Sequence, residues 1–166
     1  MHKKLFFYTI LGILFTSIAG TLLHFVFEWS GNNYWVGLFA PVNESTWEHM
    51  KLLFFPMLLY SIFEGVQLRR IYPCICFANA VGIILGTFSI PVIFYTYTGI
   101  LGTHFLFLDV GTFLCSVILG FLCSYFITSN CRDTKYAYIP YGIVILLLAG
   151  FCLFTYHPLN LGIFTS

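Results

Sequence analysis

The sequence predicts an all-α fold: a polytopic membrane helix bundle of five transmembrane helices, N-terminus inside and C-terminus outside. Three observations predict it. Of 166 residues, 60% are hydrophobic and only 8% charged, whereas a soluble domain carries about 25% charged residues to cover its core. The apolar residues gather in runs that can cross a bilayer, which takes roughly 20 residues per helix. Six of the seven Lys and Arg then fall on one side when those runs are threaded in turn. The net charge of +1, with no basic cluster, excludes nucleic acid as a partner.

The elements follow in order. The first span is 5–27, and an outer loop covers 28–46. The second span is 47–66. From Cys74 to Ile127 the chain is apolar almost without pause, too long for a single crossing. Thr96-Tyr97-Thr98-Gly99 through Gly102-Thr103 is turn-forming and divides it into spans 74–97 and 103–128. The fifth span, 141–156, closes before Pro158. No internal repeat interrupts the chain, so 1–166 reads as a single transmembrane domain.

Lys3 and Lys4, Arg69 and Arg70, and Arg132 and Lys135 share the cytoplasmic side in this threading, and Lys51 alone lies outside. The expected location is the plasma membrane, crossed several times. Lys3-Lys4 before an apolar run with Ser17-Ile18-Ala19 imitates a cleavable signal. The run continues to Phe27, so an uncleaved signal-anchor is expected. Cys74, Cys76 and Cys131 fall on the cytoplasmic side and are expected as reduced thiols. Cys115, Cys123 and Cys152 read as small packing residues.

Helix packing has its own signature. Ala78, Gly82 and Gly86 recur every fourth residue, as do Thr112, Ser116, Gly120 and Ser124. Small residues at this period let two backbones approach closely in lipid, so the third and fourth spans should form a tight pair. Pro91 should kink the third span. Asn79 should make an interhelical hydrogen bond, and Glu64 an ion pair with Arg69 at the inner interface.

The polar residues are distributed unevenly. Glu28, Glu44, Glu48, Asp109, His24, His49, His104 and His157 all fall outside or in the outer half; inside stand only Glu64, Asp133 and His2. The charge rule requires no such outer enrichment. His24 and Glu28 lie four residues apart, on one helix face that Ser17, Gly20 and Thr21 continue. Such a face should turn inward, because ionisable groups facing lipid are expensive. It reads either as an interfacial pair or as a ligand pair.

The densest stretch is Pro41-Val-Asn-Glu-Ser-Thr-Trp-Glu-His-Met-Lys51. Ser45-Thr46-Trp47-Glu48 fits a capping box, in which Ser45 and Glu48 satisfy each other's backbone donors. With Glu44 favourably placed near the positive end of the helix, that accounts for Ser45 and both acids without chemistry, but not for His49. Glu44 and Glu48 stacked four apart repel, and Lys51 or a bound cation would relieve them. Asp109 is either a carboxylate set within the membrane or the N-cap of its helix. The loop 28–46, with Trp29, Tyr34, Trp35 and Phe39, is an aromatic belt or a flap over a pocket.

Leu-His-Phe-Val-Phe-Glu-Trp-Ser-Gly (23–31), Ala-Pro-Val-Asn-Glu-Ser-Thr-Trp-Glu-His-Met-Lys (40–51) and Pro-Leu-Asn-Leu-Gly-Ile-Phe (158–164) together resemble a family of small bacterial integral-membrane proteins of unknown function. The resemblance covers the whole chain and implies a prokaryotic plasma-membrane protein of this topology. It implies no reaction. The family's pattern has a second proline where His157 stands, so it lends His157 no ligand role.

The function expected first is a metal-dependent membrane hydrolase acting on a lipid or lipid-linked substrate. Imidazoles and carboxylates suit zinc, which in catalytic sites keeps three protein ligands and one water. His24, Glu28, His49 and Asp109 are the candidate metal ligands, Glu44 or Glu48 the base, and Asn43, Trp47, Lys51 and His104 the flanking binding residues. No His-Glu-x-x-His motif is present. The alternatives are a small transporter or accessory membrane subunit, a haem or quinone protein, and a purely structural protein. Membrane lipid is the expected partner, with a second copy or another membrane subunit besides.

Overall fold

The computed structural model describes residues 2–131 and 137–164. Arg132, Asp133 and Lys135, which share in the charge pattern, lie outside the described residues. The chain builds α1 (Lys3–Trp29), a one-turn α2 (Tyr34–Gly37), α3 (Thr46–Leu68), α4 (Ile75–Leu101), α5 (Leu106–Asn130) and α6 (Tyr138–Phe154), then a 3-10 turn over Gly162–Phe164.

Helices α1, α3, α4 and α5 are long and apolar enough to cross a membrane. That corrects the expected five to four. α6 is apolar but has 17 residues, about 26 Å at 1.5 Å per residue against a hydrocarbon core of about 30 Å. It ends at Phe154, before Thr155 and Tyr156, the last two residues of the predicted span. The third span runs past its predicted end to Leu101. It stops where Gly102 adopts a left-handed conformation, φ 71°, that glycine takes without strain.

α3 is the axis of the bundle. Met50, Leu53, Phe54 and Met57 are wholly buried there, against Ile83 of α4, Val117 and Phe121 of α5 and Phe151 of α6. α1 touches this core through one narrow stripe, Leu5, Thr9, Gly12, Thr16 and Gly20. A Cβ on Gly20 would collide with the Leu52 carbonyl of α3. Proline at 56 has no N–H, so that carbonyl lacks its usual partner within the helix, and the glycine lets α1 close against it.

α4 and α5 pack as the small-residue periods predict. A Cβ on Gly82 would lie 2.5 Å from the Gly120 carbonyl oxygen, and one on Gly120 2.9 Å from that of Gly82. Asn79 bridges the same region. Its Nδ2 donates to Glu64 Oε2 at 2.9 Å, and its Oδ1 accepts from the Ser124 hydroxyl. Glu64 is therefore not the partner of Arg69. It points into the bundle, where the amide of Asn79 meets it, while Arg69 stays exposed.

Two cysteines also differ from expectation. The antiparallel α4–α5 pair brings the start of one helix beside the end of the other, and Cys74 and Cys131, with Cα atoms 6.2 Å apart, form a disulfide there. Cys76 remains a free thiol.

Candidate metal centre

At the end of the bundle away from that disulfide, three side chains arrive from three segments. α1 carries His24 above its last small-residue contact. The loop after α2 carries Glu44. The first turn of α3 carries His49. One ligand atom from each lies within 4.8 Å of the other two.

Local chemistry fixes this start of α3. Asn43 Oδ1 accepts from the Ser45 N–H at 2.9 Å, and Ser45, the N-cap, accepts from the Glu48 N–H at 3.4 Å. The capping box is thus half formed, because the Glu48 carboxylate does not return to the Ser45 amide. The Ser45 carbonyl takes both the backbone N–H and the Nδ1 of His49, the latter at 3.0 Å. A carbonyl only accepts, so Nδ1 holds a proton there and Nε2 is left turned outward. That Nε2 faces Glu44 Oε2 at 3.3 Å. Two lone pairs at that distance repel unless a proton or a cation lies between them.

His24 completes the arrangement, its Nε2 3.9 Å from Glu44 Oε1 and its ring centroid 5.5 Å from that of His49. His49, with Nδ1 on the Ser45 carbonyl and its other nitrogen turned outward, has the usual state of a metal-ligating histidine, whereas His24 Nδ1 is buried without a hydrogen-bond partner among the described residues. Ligands bound tetrahedrally at about 2.0–2.1 Å stand about 3.3 Å apart. One pair already has that spacing, and small side-chain shifts close the others. Glu44 is 72% exposed and the histidines about one-third, so one side of the group opens to the surroundings.

The other predicted residues lie elsewhere. Glu28 is exposed and joins no ion pair among the described residues. Glu48, 2% exposed, faces the wholly buried Lys51: Nζ to Oε2 is 2.7 Å. Lys51 also donates to the Gly37 carbonyl at 3.0 Å and to Thr155, and Glu48 accepts from the Val42 N–H at 3.0 Å. This network ties the loop, α3 and the end of α6 together. Trp47 packs against Phe151, Phe154 and Phe164 in the same joint. Tyr34 stacks on Tyr156 at 4.3 Å, so the aromatic loop is pinned to the α6 end.

Asp109 stays apart as well. It lies in the first turn of α5, accepts from the Tyr97 hydroxyl of α4, and has His104 Nδ1 3.3 Å from Oδ2. It therefore joins α4 to α5 rather than completing the His24 group. His157 is exposed. Sequence reasoning missed Thr155, Tyr97 and the Ser45 and Gly37 carbonyls. Only Lys51 carried a signal, as the single cation among acids, three residues from Glu48.

A family described as "Family of unknown function (DUF6512)" matches residues 1–166. No curated protein and no solved structure matches the chain.

Proposed function

We propose, for a chain that belongs to the family of unknown function DUF6512, that His24, Glu44 and His49 bind a divalent metal, preferentially zinc, and that the site hydrolyses a lipid or lipid-linked substrate at the membrane surface. The observation that carries this reading is the His49 Nε2 atom held toward Glu44 by the contact of Nδ1 with the Ser45 carbonyl, with His24 beside it. Two histidines and one glutamate form a catalytic type of zinc set, which leaves a position for water. Zinc supplies Lewis acidity and a water whose pKa falls to about 7. Glu28, one turn along α1 from His24 on the same face, is the carboxylate left to take the proton; Glu48 is held by Lys51.

In this reading the chain sits in a bacterial plasma membrane with Lys3, Lys4, Arg69 and Arg70 in the cytoplasm, the N-terminus inside and the metal site facing out. Transport is disfavoured by the packing. Between the metal group and Glu64 the interior is filled by Leu53, Phe54, Met57 and Ile83, all buried, and the polar groups buried among the helices there, Thr16, Ser61, Thr87 and Ser116, are hydroxyls that carry no charge.

Metal analysis of the detergent-purified protein tests the proposal. About one zinc per chain is expected in the native protein, lost in both His24→Ala and His49→Ala while the thermal transition persists. Binding should weaken as pH falls, because protons compete for the imidazoles. A native protein that takes up no zinc, cobalt or manganese after dialysis against each overturns it.

A further inference from the structure

We infer that the protein holds one anionic phospholipid in a lateral groove at the end of the bundle opposite the metal group, a site independent of the metal reading. α3 and α6 meet near the metal end, where Phe54 and Phe151 approach to 5.0 Å between ring centroids. Toward the other end a groove of about 420 Å³ separates them, floored by α4. That volume lies in the range of small-molecule sites, about 300–1,000 Å³. Leu58, Ile62, Val66, Ile83, Val144 and Ile145 line it. Ile62, Val66 and Ile145 are more than 60% exposed, so the groove opens sideways, toward where acyl chains lie in a bilayer.

Charge selects the lipid. Arg69 lines the groove at its end, with Tyr141 of α6 also in the wall. Among the described residues Arg69 meets no carboxylate, because the nearby acid, Glu64, is buried and bonded to Asn79. Arg70, Lys3 and Lys4 are exposed, and the Tyr72 hydroxyl 3.3 Å from His2 Nδ1 puts the α1 N-terminus at this same end. The α6 N-terminus points here too, and its N-cap, Ala137, makes no side-chain cap hydrogen bond. A helix N-terminus and a guanidinium with no carboxylate partner among the described residues favour a phosphate, and the lysines at the same end add to the positive field. An apolar groove between helices with a basic mouth fits an anionic headgroup above an acyl chain. A zwitterionic lipid would bring its own cation into the same field.

Native mass spectrometry in a neutral detergent tests this, with dioleoyl-phosphatidylglycerol and dioleoyl-phosphatidylcholine added in turn. One phosphatidylglycerol should be retained, about tenfold more tightly than phosphatidylcholine, the effect of one charge-assisted hydrogen bond. Arg69→Gln should remove that preference, and Arg70→Gln, outside the groove wall, should keep it. Ile145→Trp, at an exposed position that tolerates a larger side chain, should crowd the groove and weaken retention of both lipids. Equal retention of the two lipids by the native chain overturns the inference. So does an unchanged preference in Arg69→Gln, or a stable dimer that excludes lipid and fills the groove with a second copy.

Discussion

Lys51→Met isolates the joint that carries the loop of the metal group. All three ammonium protons of Lys51 are used, on Glu48 Oε2, the Gly37 carbonyl and the Thr155 hydroxyl, and the side chain is wholly buried. Methionine keeps the length and removes the charge, leaving the Glu48 carboxylate buried without its cation. Breaking a buried pair from one side costs about 3–5 kcal/mol. At this chain length about 2–4 °C accompanies each kcal/mol, so the thermal midpoint in detergent should fall by about 6–20 °C. The double variant Glu48→Gln/Lys51→Met removes both charges, and its amide oxygen can still accept from Val42. Its residual loss should be about 1–3 kcal/mol, the cost of the unpaired Gly37 carbonyl. Zinc affinity should follow stability in both proteins, because Glu48 anchors Val42 two residues before Glu44. A single variant that loses less than about 1 kcal/mol would refute the reasoning. A double variant no more stable than the single would do the same.

Gly82→Leu and Gly120→Leu should each unfold more readily than the native protein, because the new Cβ meets a facing carbonyl; Gly99→Leu, with open space around it, should not. Tyr97→Phe and Asp109→Asn should lower thermal stability by about 0.5–3 kcal/mol yet leave zinc content unchanged; zinc lost from Asp109→Asn would put that residue back among the ligands. Under the proposed orientation, Cys74 and Cys131 face a reducing cytoplasm and should be thiols in cells, joining on exposure to air. Maleimide labelling after acid quenching of whole cells measures this, and an oxidised pair at that moment would reverse the orientation.

The long helices and the α4–α5 contact were legible because they rest on periodicity and on small residues, which one strand of sequence displays. Asn79 was legible for the same reason: an amide within a span must find a partner. The two histidines of the site, His24 and His49, were legible as composition. Its third member was less so, since Glu44 read as a base until the Ser45 carbonyl was seen to turn His49 toward it. Glu48 and Asp109 were misplaced by a quantity the sequence does not contain, the rotation of each helix about its axis. Eleven residues separate Glu48 from Gly37, and over a hundred separate it from Thr155. The Cys74–Cys131 approach depends likewise on where two helices end.

The buried face of α1 is mostly glycine and threonine, yet the helix brings His24 to the metal group. The other two ligands belong to α3 and the loop fastened to it. A bound ion would therefore act as a latch between α1 and α3, and release of the ion would unlatch α1. Each tenfold rise in metal above its dissociation constant would add about 1.4 kcal/mol to the grip on α1. Chelation and helix undocking then become one equilibrium, in which the ion holds the bundle shut as well as serving its chemistry.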